Sequence, residues 1–240
     1  MTQQQAQKRV AAQHEDLADK LNWLRAGVLG ANDGIVSTAG LVLGVVGATD
    51  NHTAILVAGV AGLVSGALSM AAGEYVSVST QRDTERAAVK HEAAELHQKP
   101  SAELTELTDI LEAKGLNRGI AFEAARELTR QNALAAHAEM ELGIRLGSYT
   151  NPWQAAIASA ISFSLGALVP LLSVLMATAQ NALWVTVLAV AIALSITGYT
   201  SAKLGHAPTR PATWRNVAGG LLAMLVTYGI GRLIGSQFLG

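Results

Sequence analysis

Two acids stand in stretches that are otherwise apolar or small: Asp33 in G-A-N-D-G-I-V-S-T-A-G-L (30–41) and Glu74 in S-G-A-L-S-M-A-A-G-E-Y-V-S-V (65–78). An ionised carboxylate inside a membrane helix costs about 2.5 kcal/mol or more, and such a residue is a functional candidate by default. The chemistry open to it is to hold a cation or to carry a proton. Met70 lies four residues before Glu74, hence one turn away on the same helix face, and adds a soft thioether. Taken singly, Met70 reads as ordinary packing and Asp33 as a side chain bonded to Asn32 or to nearby backbone N–H groups. Two acids at matched depth in successive apolar runs favour function.

A second group of candidates lies further on. Glu92 and Glu95 are three residues apart, as are Glu103 and Glu106, and Pro100 stands between the pairs. That spacing puts each pair on one helix face, so a hairpin at Pro100 would bring four carboxylates together. Close carboxylates repel unless a cation holds them or one stays protonated. His137 and Glu141, one turn apart, would complete such a site. Glu112, Glu123 and Glu127 read as solvated surface, and His91 and His97 as solvent-facing.

Ligand type narrows the ion. Oxygen-only sites suit Mg²⁺, Ca²⁺ or Mn²⁺, whereas a thioether beside carboxylates moves the preference toward a borderline transition metal. Cysteine is absent, which removes thiolate sites for Cu(I) or Zn²⁺. Fe²⁺ or Mn²⁺ fits best. After Glu141 the chain has no Asp or Glu, so a cation path lined by charged ligands must use the first two apolar runs, in one copy of the chain or in two.

The elements that position these residues follow from composition. Half of the chain is hydrophobic, 15% is charged and mean hydropathy is +0.31, whereas a soluble domain carries about a quarter charged residues. The net charge of −1 argues against nucleic acid as a partner, since that would call for a basic face. The polar first 20 residues do not have the pattern of a secretory signal. Five apolar runs are long enough to span a bilayer: residues 26–48, 53–79, 153–177, 182–202 and 214–235. Lys8, Arg9, Lys20 and Arg25 precede the first, and Lys203, Arg210 and Arg215 lie around the start of the fifth. The excess of basic residues on one side predicts a cytoplasmic N-terminus and an outer C-terminus. Arg232, on the outer side, is expected to snorkel.

The expected fold is all-α: a polytopic membrane protein with five transmembrane helices and a cytoplasmic three-helix metal-binding domain. Residues 1–25 form a cytoplasmic N-terminal segment, 26–79 the first two spans, 80–150 the cytoplasmic domain and 151–240 the last three spans. No proline interrupts 53–99, so the second span continues as one helix on the order of 70 Å long. Pro100 ends it, Ser101 can cap the next helix, and Lys114-Gly115 ends that one. Asn117 can cap a third, with Ile120, Ala124, Leu128, Ala135 and Leu142 at helical spacing, closing near Gly147. Small residues four apart, such as Gly30/Gly34, Gly40/Gly44 and Gly62/Gly66, allow close helix contact.

The stretches 30–41 and 65–78, with N-P-W-Q-A-A-I-A-S-A-I-S-F (151–163), resemble the vacuolar iron transporter family, including its nodulin-like members, and the likeness covers nearly all of the chain after residue 20. The resemblance implies a homodimeric five-span carrier in the lipid bilayer that moves Fe²⁺, and often Mn²⁺, out of the cytoplasm in exchange for protons along a path at the dimer interface. It implies that Asp33 and Met70 bind the metal and that Glu92, Glu95, Glu103, Glu106 and Glu141 gather it beneath the pore. Co²⁺ and Zn²⁺ are further candidates for the same sites. The chain departs from plant and fungal vacuolar members at Ala26 and Gly62, where they carry acids, and at Glu74, where they carry glycine. Glu74, with Asp33, is therefore the candidate for proton coupling. His137, in H-A-E-M-E, stands where those members offer methionine.

A bacterial inner membrane is the expected location, and no enzymatic activity is expected. The rival from another class is a membrane-anchored iron-binding or iron-oxidising protein whose carboxylate-rich cap is the active centre. A di-iron oxidase would favour E-x-x-H pairs, and the residues three after Glu92 and Glu103 are glutamates.

Overall fold

A computed structural model describes residues 27–147, 149–178 and 180–238. The N-terminal segment 1–25 with its basic residues, and Ala26, lie outside the described residues. Those described form seven helices and no strand: α1 (Gly27–Ala48), α2 (His52–Gln98), α3 (Pro100–Ala113), α4 (Arg118–Met140), α5 (Pro152–Met176), α6 (Ala182–Leu204) and α7 (Thr209–Phe238). Helices α1, α2, α5, α6 and α7 are long and apolar enough to cross a membrane, at the five places the apolar runs predict. The chain divides into two compact units, Tyr75–Trp153 and the remainder, with the boundary inside α2.

In the unit of apolar helices, α1 is the central element. Ile35, Ala39 and Leu43 on one side of it meet Val190 and Leu194 of α6 and Met224 of α7, while Val42 packs with Ile55 of α2 and Val174 of α5. The glycines spaced along α1 serve these contacts within the chain. A Cβ at Gly34 would lie 2.9 Å from the Ala167 amide of α5, and one at Gly47 would lie 3.0 Å from the Arg232 amide of α7. Helix backbones approach this closely only where no side chain intervenes. The result is uneven coverage: in the span-forming windows 44% of α1 is buried, but only 11% of α2. Arg232, expected to snorkel, is exposed, and its guanidinium donates to the Tyr228 hydroxyl one turn earlier at 3.4 Å.

In the other unit, α3 and α4 form a hairpin around Leu107, Leu111, Ala121, Ala125 and Ala136. Pro100 is the first residue of α3, where its missing N–H costs nothing, and Lys99 rather than Ser101 takes the cap position without a side-chain cap bond. Gly115 ends the hairpin's first arm with φ of 102°, a left-handed conformation that glycine adopts at least cost. Asn117 caps α4 by accepting from the Ile120 amide at 2.9 Å. Arg118 then reaches back to Asp109 (3.3 Å) and Glu112 (2.9 Å) of α3.

Helix α4 is not the single straight helix that its apolar spacing predicts. Asn132 is extended (φ −165°, ψ 93°), and its Oδ1 accepts from the Ala135 amide at 3.0 Å. It ends one helical segment and caps the next. The helix also stops at Met140 rather than near Gly147, so Glu141 is its C-cap.

Candidate metal site

The restart at Asn132 turns Ala136, His137 and Ala138 inward. His137 is 0% exposed, and its Nδ1 faces three carboxylates: Glu92 of α2 at 3.0 Å, Glu141 at 3.4 Å and Glu103 of α3 at 3.8 Å. Glu92 and Glu103 are buried as well, at 3% and 5% exposure, while Glu141 stands at the rim. Each group comes from a different place: α2, the first turn of α3, and the end of α4. Buried acids are retained only with partners, because desolvation otherwise neutralises them.

The donor atoms of Glu92, His137 and Glu141 all lie within 4.8 Å of one another. Oxygen or nitrogen ligands about 2.1 Å from one ion stand at most about 4.2 Å apart, so a contraction of a few tenths of an ångström would close the set on a divalent cation. Two atoms underline this. Glu92 Oε1 is close to Nδ1 yet off the direction of a hydrogen bond, and His137 Nε2 is buried without a partner among the described residues. Burial, and then the neighbouring Glu141, holds the Glu92 carboxyl above its ordinary range, with Glu103 and Glu95 adding to the rise and His137 opposing it. The more exposed Glu106 is raised in the same way, first by desolvation and then by Glu141 and Glu103. A mixed set of three carboxylates and one imidazole suits Fe²⁺, Mn²⁺, Co²⁺ or Zn²⁺ better than Ca²⁺ or Mg²⁺, which take oxygen ligands.

The remaining acids of this unit stand around the cluster rather than in it. Glu95 pairs with His91 Nδ1 at 3.0 Å and adds negative potential that reaches both Glu92 and Glu106; Glu106 is exposed. Glu127 pairs with Arg130 on open surface at 2.8 Å, which holds its carboxyl at about 2. The spacing of the glutamates pointed to a four-carboxylate site. What it missed is that one member of each pair turns inward and that His137 sits at the centre. The signal for the second point was Asn132 itself, a strong capping residue in mid-helix.

In the apolar unit, Asp33 lies on the stripe of α1 that the chain leaves uncovered, with Leu29, Ser37 and Leu41 at four-residue intervals. Its carboxylate makes no hydrogen bond or ion pair among the described residues; only its backbone carbonyl is engaged, by the Ser37 hydroxyl at 2.6 Å. The adjacent Asn32 does not serve it: no hydrogen bond joins their side chains, and Asn32 turns its Oδ1 to the Thr197 hydroxyl of α6 at 3.2 Å. Met70 and Glu74 are half-buried on the sparsely covered α2. The carboxylate of Glu74 is likewise without a partner among the described residues.

The sequence profile of the VIT family matches residues 24–232, a stretch that includes α1 to α6 and most of α7. The vacuolar iron transporter of Acanthamoeba castellanii is 39% identical over 92% of this chain and 82% of its own length. Vacuolar iron transporter homolog 2.1 of Arabidopsis thaliana is 37% identical over 97% of this chain and 91% of its own, and VIT-like transporter 1b of Glycine max is 35% identical over 93% and 81%. With a family profile covering most of its length and relatives above a third identical over more than nine-tenths of it, the chain belongs to the VIT family.

Proposed function

We propose that this protein is a homodimeric carrier that moves Fe²⁺, with Mn²⁺ as an alternative cargo, out of the cytoplasm in exchange for protons. The single observation that carries the reading is the Asp33 carboxylate, without a partner among the described residues on the uncovered stripe of a membrane-length helix. Facing lipid, an ionised acid there is costly. Facing a second copy of the chain across a wet path, it becomes one of two carboxylates that can share a divalent ion. The names of the relatives, which speak of iron, support iron as the cargo.

In this reading Asp33 and Met70 of both protomers hold the ion within the membrane. Protonation of Asp33 or Glu74 from the outer side removes the charge that binds it and drives release. The Tyr75–Trp153 unit and the N-terminus are cytoplasmic and the C-terminus is outside, in a bacterial inner membrane. Glu92, Glu103, His137 and Glu141 collect the ion, with Glu95 and Glu106 enriching cations around them. The mixed nitrogen and oxygen donor set at His137 favours Fe²⁺, Co²⁺ or Zn²⁺ over Mg²⁺ at the collecting site.

Vesicles reconstituted with the protein should take up Fe²⁺ only when a pH gradient is imposed, and Asp33→Ala should abolish uptake while the protein still elutes as a dimer. Undiminished uptake by that variant overturns the membrane path. Oxygen consumption on adding Fe²⁺, without transport, would instead assign the protein to iron oxidation at the carboxylate cluster.

A further inference from the structure

A cleft of about 330 Å³ opens between the first turns of α1, the last turns of α6 and the first turns of α7. Its polar lining is Asn32, Thr197, Ser201, Arg215 and Asn216. Part of that lining is a closed network. The Asn216 amide donates to the Leu194 carbonyl at 2.8 Å and to the Thr197 hydroxyl at 3.0 Å, and Thr197 in turn shares its proton between Asn32 Oδ1 and the Leu194 carbonyl, both at 3.2 Å.

What this network leaves over is a cation and several donors beside one amide oxygen, that of Asn216. The one side-chain oxygen of Asn32 is engaged by Thr197, so its amide N–H groups remain; the Ser201 hydroxyl makes no hydrogen bond among the described residues; and the Arg215 guanidinium makes no hydrogen bond or ion pair there. Among the described residues no carboxylate lines the cleft. A concave site with a fixed cation and surplus donors selects an anion. A guanidinium in particular matches the paired oxygens of a phosphate.

The surroundings place the anion at a membrane surface. Lys203 lies over the Tyr199 ring at 5.9 Å on the last turns of α6, and Trp214, beside Arg215, is 71% exposed. Exposed aromatic residues with lysine and arginine at the ends of membrane helices mark the headgroup level. Basic pockets between such helices take acidic headgroups.

We propose that the α1–α6–α7 cleft binds the phosphate of an anionic phospholipid, with Arg215 as its charged contact and Asn32 and Ser201 as neutral donors. The headgroup would then brace α1 against α6 and α7 through Asn32, one residue before Asp33. The proposal stands apart from metal transport, so its test is binding to the full chain in non-ionic detergent, read as the thermal unfolding midpoint.

Phosphatidylglycerol should raise the midpoint saturably, and phosphatidylcholine, whose choline neutralises its phosphate, should do so less. Arg215→Gln should weaken the phosphatidylglycerol response roughly tenfold in half-saturating concentration, the size of one charge-assisted hydrogen bond. Lys203→Gln, outside the cleft, should leave it unchanged. If Arg215→Gln does not fold, Arg215→Lys and Ser201→Ala serve, each expected to shift half-saturation a few-fold. Inorganic phosphate giving the same Arg215-dependent rise would support the phosphate site and overturn the lipid as its source. An equal response to phosphatidylglycerol in wild type and Arg215→Gln, or in wild type and both milder variants, overturns the proposal.

Discussion

The acids of the two units are held in opposite ways. In the Tyr75–Trp153 unit, Glu92 and Glu103 are buried against His137 within 4 Å, and Glu141 closes the set, so one chain supplies every donor. In the apolar unit, Asp33 stands alone on an uncovered stripe, and nothing in the same chain answers it among the described residues. The first arrangement is complete in itself and is suited to hold an ion at equilibrium. The second is incomplete without something from outside the chain, which suits a site that an ion visits and leaves.

The sharpest way to break this contrast is to remove the centre of the complete site. His137→Ala, made with Asp33→Ala so that only the cluster can bind, strips the partner from two buried carboxylates and opens a void. Leaving a buried polar group without its partner costs about 1–3 kcal/mol. We expect a markedly lower unfolding midpoint and at least a tenfold loss of Mn²⁺ affinity by calorimetry. Unchanged affinity would show that the cluster is structural and that collection happens elsewhere.

A smaller effect, also read in the Asp33→Ala protein, is the response to pH. The Glu92 and Glu106 carboxyls are raised in the folded protein above the ordinary 4.5, so folding takes up protons in the window between 4.5 and those raised values. Lowering pH through that window stabilises the metal-free unit, because charge that is costly to keep buried is neutralised. The same protons compete with the cation. The metal-free midpoint should therefore rise while Mn²⁺ affinity falls, and both changes should set in at the same pH as it is lowered; Mn²⁺ affinity that stays level across the window would uncouple the cluster from the metal.

The smallest effect concerns positioning. Asn132→Ala removes the cap that restarts α4, at a cost of about 1 kcal/mol. If the kink aims His137, the variant should lose Mn²⁺ affinity beyond its loss of stability, and Asn132→Asp should restore both; a stability loss alone would make Asn132 a cap and nothing more.

Much of this was legible in the residues. The apolar runs marked the five membrane-length helices to within a few residues at most ends, and Asn117 and Gly115 placed the turn between α3 and α4. These are local rules: bilayer thickness sets the length of an apolar run, and backbone donors, proline and glycine set where a helix begins and ends. The glycines of α1 were legible as sites of close approach, but not their partners, which turned out to be α5 and α7 of the same chain.

By itself, then, the sequence determined which segments are helices, which of them are apolar enough to cross a membrane, and which acids are out of place there. Only the tertiary structure decided that Glu92 and Glu103 turn inward while Glu95 and Glu106 do not, and that His137 sits among them. It alone also left Asp33 on an open face and gathered Asn32, Thr197 and Asn216 around one cleft. The reason is geometric: helical spacing fixes the angles between side chains on one helix, but which face meets a neighbour depends on crossing angles, loop closures and a mid-helix kink, and those are settled by packing the whole chain at once.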